Sequence, residues 1–157
     1  MKTIFTLILA VVISGPGFGQ HLSFQEMKAL LDIAGSESAV SKYLTGKGFE
    51  KNGDDKLDND LGIKSLPYKK KIGKRDYFVT VVKSLNGSDH QVRELSKDKK
   101  RWAYYQEVAS SNGFKEIESK SSGKSLLYRN SEFEITMEKS QGLDGTYYAI
   151  RLSRVSQ

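Results

Sequence analysis

The sequence contains no cysteine. That absence excludes disulfides, thiolate zinc sites, iron–sulfur clusters and cysteine nucleophiles together. Histidine is nearly as scarce, with His21 and His90 far apart and neither spaced with a partner for a metal, so both read as surface histidines. Nucleophile elbows, zincin motifs and dinucleotide fingerprints are missing. Gly123-Lys124-Ser125 resembles the end of a phosphate-binding loop. The glycine such a loop needs five positions earlier is Glu118, and the segment reads as a hairpin turn. Long hydrophobic runs are also lacking. The longest, Ile4–Ile13, has ten residues, short of the roughly 20 that a spanning helix needs.

What is present is enough for a folded domain. The chain has 157 residues, 38% of them apolar and 10% aromatic, which argues against wholesale disorder. The length fits one compact domain or two very small ones. The formal charge is +6, from 25 Lys and Arg against 19 Asp and Glu.

The first residues read as a cleavable secretory leader. Lys2 supplies the positive start, Ile4–Ile13 the apolar stretch, Ser14-Gly15-Pro16 the break, and Gly17-Phe18-Gly19 the small residues before a cut near Gly19–Gln20. Residues 1–19 are thus expected to be removed, leaving no transmembrane segment. A lipoprotein needs an acylated cysteine at that site, and none is there. The leader looks bacterial, which points to the periplasm or the medium. An exported chain without cysteine must rely on its core alone.

Helix grammar occurs twice. Ser23-Phe24-Gln25-Glu26 reads as a capping box before Met27, Leu30, Leu31 and Ala34 at helical spacing. A short second helix follows over Ser36–Thr45, with Val40, Tyr43 and Leu44 on one face and Gly46 and Gly48 at its end. Later, Ser96 or Asp98 caps a helix carrying Trp102, Tyr105, Val108 and Ala109, which Asn112-Gly113 ends. "Gly48-Phe49" therefore answers "Gly113-Phe114", and Val79–Ser84 answers Ile135–Ser140. The two offsets, 65 and 56, differ by nine residues. The polar stretch Asn52–Asp60 has that length and reads as an inserted loop. We read two diverged repeats, with boundaries 20–95 and 96–157 and an extra N-terminal helix in the first.

Strands are expected at Phe49–Asn52, Tyr68–Ile72, Tyr77–Lys83 and Gln91–Leu95 in the first unit. Those of the second are Phe114–Ser119, Ser125–Arg129, Glu132–Glu138 and Thr146–Ser153. Asn86-Gly87, Ser121-Ser122-Gly123, Asn130-Ser131 and Gly142–Gly145 supply turn chemistry. Each unit is then a helical segment followed by a four-stranded antiparallel meander, an α+β architecture. A cystatin-like helix-grip sheet is the alternative.

The units Ser36–Leu95 and Lys97–Arg154, each helix then Gly-Phe then meander, resemble the beta-lactamase-inhibitor-protein-like group. In that group tandem units pack helical segments against a four-stranded antiparallel sheet. The resemblance implies that fold and a protein-binding role. The disulfides of the inhibitors and the acylated cysteine of the group's outer-membrane-assembly lipoproteins have no counterpart here.

Candidate binding residues fall in two groups. Tyr77–Val82 is apolar on both faces. If Tyr77, Val79 and Val81 match the buried row Phe133, Ile135 and Met137, then Phe78 and Val82 point the other way, either covered in the chain or offered to a partner. If Tyr148, Ile150 and Leu152 face the core, Tyr147 and Arg151 lie on the wet face, and these are hot-spot residue types. The second group is the basic run Lys64, Lys69, Lys70, Lys71, Lys74 and Arg75, joined by Lys97, Lys99, Lys100 and Arg101. The anion-binding candidates are Lys69, Lys70, Lys71, Lys74 and Arg75, for anionic envelope lipid or polysaccharide. Lysines also guard sheet edges. The leader argues against nucleic acid.

Asp54, Asp55, Asp58 and Asp60 lack the glycine and the bidentate glutamate of an EF-hand loop, at Asn59 and Ser65, and read as a solvated acidic loop. Asn86-Gly87-Ser88 fits a glycosylation sequon, but a hairpin already explains it. Together these features predict an exported, non-enzymatic protein-binding module without cofactor or metal, of inhibitor or immunity type. Its partner is another envelope or secreted protein, met through a sheet face. The alternatives are the anionic-envelope binder and a hydrolase with carboxylates assembled in space.

Overall fold

Ser23 begins the first helix as a capping box: its Oγ accepts from Glu26 N at 3.2 Å and Glu26 Oε2 accepts from Ser23 N at 2.6 Å. The computed structural model describes residues 21–87, 89–119 and 125–155. The leader 1–19, Ser88 of the sequon, and the turn Ser121-Ser122-Gly123 with Lys124 lie outside the described residues. Helix α1 spans Phe24–Ile33 and α2 spans Glu37–Gly46, capped by Ser36. Strands β1 (Glu50–Lys51), β2 (Lys56–Asp58), β3 (Ile63–Ile72), β4 (Arg75–Ser84) and β5 (Gln91–Ser96) follow. Asp98 caps α3, Lys99–Ser111, and β6 (Lys115–Ser119), β7 (Ser125–Arg129), β8 (Phe133–Gly142) and β9 (Gly145–Arg154) close the chain.

Among the described residues the fold is α+β, with three helices and one nine-stranded antiparallel sheet. Its order is β1-β3-β4-β5-β9-β8-β7-β6, with β2 also paired to β3. The join between the halves is β5 against β9, six residue pairs from Gln91↔Ser153 to Ser96↔Tyr148. The stretch expected as a loop, Asn52–Asp60, contains β2. Lys56 and Asp58 pair with Ser65 and Ile63 because β3 begins five residues earlier than expected. Pro67 sits where β3 changes partner from β2 to β1, so its missing N–H costs no ladder bond there.

Both glycine–phenylalanine pairs end a helix in the same way. Phe49 N donates to Leu44 O at 3.0 Å and Phe114 N to Ala109 O at 3.1 Å, the long-range bond of a Schellman cap. Gly48 (φ +80°) and Gly113 (φ +69°) adopt the left-handed conformation that the cap requires. Phe49 and Phe114 are both carried into the core.

All three helices lie on one face of the sheet. Met27, Leu30, Leu31, Val40, Leu44, Trp102, Tyr105 and Ala109 pack with Leu66, Tyr68, Tyr77, Val79, Val81, Val92, Phe133, Ile135, Met137, Ile150 and Leu152. The strand residues in that set share one side of the pleat.

Candidate functional site

Strand alternation and pairing register fix what the opposite, outer face presents. One cross-strand row runs Lys69–Phe78–Leu95–Ala149–Glu138. The next runs Pro67–Thr80–Arg93–Arg151–Thr136–Leu127, and a third runs Ser65–Val82–Gln91–Ser153–Glu134–Arg129. No outer-face residue of these rows joins the helix-packed core cluster. A shallow depression of about 220 Å³ opens at the middle, lined by Arg93, Thr136, Glu138, Ala149, Ile150 and Arg151.

The four partner-binding candidates all belong to this face, but they are not equivalent. Phe78 is half-buried beside Leu95, and Arg151 lines the depression. Tyr147 lies at the far end of β9, its hydroxyl donating to Asp144 Oδ1 at 3.0 Å and Lys97 Nζ 4.9 Å from its ring centre. Its ring lies against Gly142, where a Cβ would stand 2.7 Å from Tyr147 Cε2. Val82 is corrected: it is 1% exposed. Register places it on this face, but at that exposure it offers no surface to a partner, unlike half-buried Phe78 on the same strand.

The lysine-rich run does not assemble into one patch. Alternation sends Lys69 to the outer face and Lys70 to the helix side. There Lys70 Nζ donates to Lys47 O at 2.9 Å, while Lys69 Nζ is 3.5 Å from Glu50 Oε1. Lys71 is cross-strand from Asp76, and Lys74 and Arg75 stand exposed at the β3–β4 turn. Lys64 serves the acidic segment instead, at 3.4 Å from Asp55 and 2.7 Å from Glu37. Among the described residues no group of three or more His, Asp or Glu side chains is gathered to hold a metal ion.

Sequence reasoning missed the most strongly built polar feature, on the helix side. Glu94 of β5 is 1% exposed and Arg101 of α3 is 7% exposed. They form a two-pronged ion pair, Nε–Oε1 2.6 Å and Nη2–Oε2 2.8 Å. Tyr77 Oη donates to Glu94 at 3.0 Å and Tyr105 Oη lies 3.4 Å from the same oxygen. Arg101 Nη2 also donates to Leu22 O at 2.7 Å, and Leu22 N donates to Tyr77 Oη at 3.3 Å. The cluster therefore ties the segment entering α1 to both the sheet and α3. Burial opposes the Arg101 charge, but Glu94's hydrogen bonds and charge outweigh it and hold the guanidinium protonated. Burial and the Glu94 charge push the Tyr77 and Tyr105 hydroxyls well above the ordinary tyrosine range. One cue was available: Arg101 stands four residues before Tyr105, on the stripe that α3 buries.

No family model matches the chain, and neither does a curated protein or a solved structure.

Proposed function

We propose that this chain is an exported, non-enzymatic protein-binding module of inhibitor or immunity type, and that the outer sheet face is its recognition surface. One observation carries the reading. All three helices cover one face of the nine-stranded sheet, while the other carries the apolar row Phe78, Leu95 and Ala149 beside Arg93 and Arg151. Phenylalanine and arginine are residue types enriched at protein interfaces. The protein-binding role implied by the inhibitor-like resemblance fits such a face. The proposal includes two diverged repeats. Their support is the mirrored strand order about the β5–β9 join and the matching Gly-Phe helix caps. Export rests on the leader sequence.

The anionic-envelope alternative draws less support, because its lysines divide between two faces and two of them, Lys69 and Lys70, already hold oxygen partners. The hydrolase alternative needs a carboxylate pair, and the central depression is lined by one carboxylate, Glu138.

The test is capture of a partner from envelope and culture-medium fractions with the tagged, exported chain. The wash uses about 1 M salt, where the screening length falls to about 3 Å. A stoichiometric protein is expected to remain bound, and to be lost with Phe78→Asp or Leu95→Asp. Recovery only of lipid or polysaccharide that salt releases, or a partner indifferent to both substitutions, overturns the proposal.

A further inference from the structure

Three of the six arginines hold a carboxylate, and Arg75 stands exposed at the β3–β4 turn. Arg101 holds Glu94, Arg129 holds Glu134 at 2.6 Å, and Arg154 holds Asp32 at 2.5 Å. Arg93 and Arg151 differ. They are direct cross-strand partners on β5 and β9, so two guanidinium-bearing side chains stand opposite each other at the sheet's midline. Among the described residues, neither is in an ion pair. Arg93 donates to Gln91 Oε1 at 3.3 Å from Nε and 2.9 Å from Nη2, and Arg151 Nη2 donates to Thr136 Oγ1 at 3.0 Å. Both satisfy only neutral oxygens, which leaves each with donors to spare.

Like charges opposite each other destabilise a strand pair. Partial burial and the Arg151 charge both push the Arg93 pKa below the ordinary arginine value, against the opposing pull of Glu138. Glu138 lines the same depression, so two cations and one anion face the opening. The excess is one positive charge.

We propose that the Arg93–Arg151 pair is the seat for one aspartate or glutamate side chain of the protein that docks on the outer face, an inference that rests on the binding role proposed above. The planar guanidinium fork matches a carboxylate in two parallel hydrogen bonds. A single carboxylate also matches the local excess charge, whereas a doubly charged phosphate group would be repelled more strongly by Glu138. The apolar row Phe78–Leu95–Ala149 runs immediately beside the seat, so a partner covering that row excludes water from the ion pair and strengthens it.

The experiment follows the arginine Nε–Hε resonances of the isotopically labelled protein during titration with a short polyglutamate peptide. Polyglutamine is the control, and inorganic phosphate a competing probe. The expected result is a saturable shift of the Arg93 and Arg151 signals by polyglutamate. Arg93→Gln and Arg151→Gln should each weaken binding about tenfold, the scale of one charge-assisted hydrogen bond. Glu138→Gln should tighten binding, and Arg129→Gln should leave it unchanged. Because the pair is mutually repulsive, thermal melts of Arg93→Gln and Arg151→Gln should show no loss of stability. Polyglutamate that leaves both arginine signals in place, or phosphate that binds the pair more tightly, overturns the inference. So does a large drop in melting temperature for either glutamine variant, which would make the pair structural. If polyglutamate fails while Phe78→Asp still abolishes partner capture, the seat is refuted and the binding role stands. If the arginines bind polyglutamate but Phe78→Asp and Leu95→Asp leave capture intact, the binding role through the apolar row is refuted and the seat stands.

Discussion

Replacing Arg101 by methionine isolates what the buried ion pair does. The substitution keeps an unbranched side chain of useful volume and removes the guanidinium that faces Glu94, Leu22 O and Tyr105. Glu94 is then left 1% exposed with hydroxyl donors but no cation. Stranding one member of a buried pair costs about 3–5 kcal/mol. The two tyrosine hydroxyls offset part of that, which favours the lower end. The lost bond to Leu22 O adds about 1 kcal/mol. The sum, about 4 kcal/mol, corresponds to a fall in Tm on the order of 15 °C for a domain of this size. The assay is chemical denaturation of the wild type and Arg101→Met across pH. If the penalty is an uncompensated carboxylate, acid relieves it, because a protonated acid is far cheaper to bury. The gap between variant and wild type should therefore narrow as the pH falls from 7 toward about 4, where the unfolded carboxylate also begins to protonate. A gap that stays constant over that range would refute the reasoning and assign the loss to packing alone.

Three further outcomes follow from single positions. Gly142→Ala places a methyl group 2.7 Å from Tyr147 Cε2, so Tyr147 must leave its place. Tyr147 is half-buried and can swing aside, so the loss should be about 0.5–1 kcal/mol, read by thermal melts and by Tyr147 ring resonances, and an unshifted ring would contradict it. Gly113→Ala forces alanine into the left-handed conformation of the α3 cap, and should cost roughly 1 kcal/mol by denaturant titration. His21 has its pKa lowered below 6.5, first by burial and then by the Arg101 charge. The unfolded chain therefore binds that proton more readily. The stability tied to neutral His21 is complete above about pH 6.5 and is lost as the pH falls toward the depressed folded value. His21→Asn should flatten that dependence between about pH 5 and 7, and an unchanged slope would count against it.

Much of the scaffold was legible because local chemistry and burial agree there. Ser23 caps α1 as expected, Asp98 is the one of the two candidates that caps α3, and Gly-Phe twice marks a Schellman end. The alternation of Phe133, Ile135 and Met137 with polar neighbours gave the buried side of β8, and Tyr148, Ile150 and Leu152 that of β9. Strand β3 was read short. Its first half contains Pro67 and several polar residues, and it is ordered by the whole length of β4 pairing alongside it. The two-residue strand β1 lies within the expected Phe49–Asn52, whereas the three-residue strand β2, in a stretch read as a loop, carries no periodicity to detect. They exist because β3 offers them an edge.

The candidate site was legible only in part, for a reason set by register. Arg151 was singled out from its own strand, yet its meaning depends on Arg93, fifty-eight positions earlier and opposite it only because β5 and β9 pair. The same holds on the helix side. Val92-Arg93-Glu94-Leu95 gives no clear alternation, with an apolar and a charged residue on each face. Pairing resolves it. Glu94 lies opposite Ile150 and Val79, which are buried, so it must face the core and there meets Arg101. Arg93 and Leu95 are thereby turned outward, next to Arg151 and Ala149. The buried ion pair and the exposed arginine pair are thus two consequences of one register. A one-residue slip of β5 would bury Arg93 without a carboxylate and release Glu94 to solvent. The Glu94–Arg101 bond therefore helps to specify which side chains the outer face displays, and with them its charge.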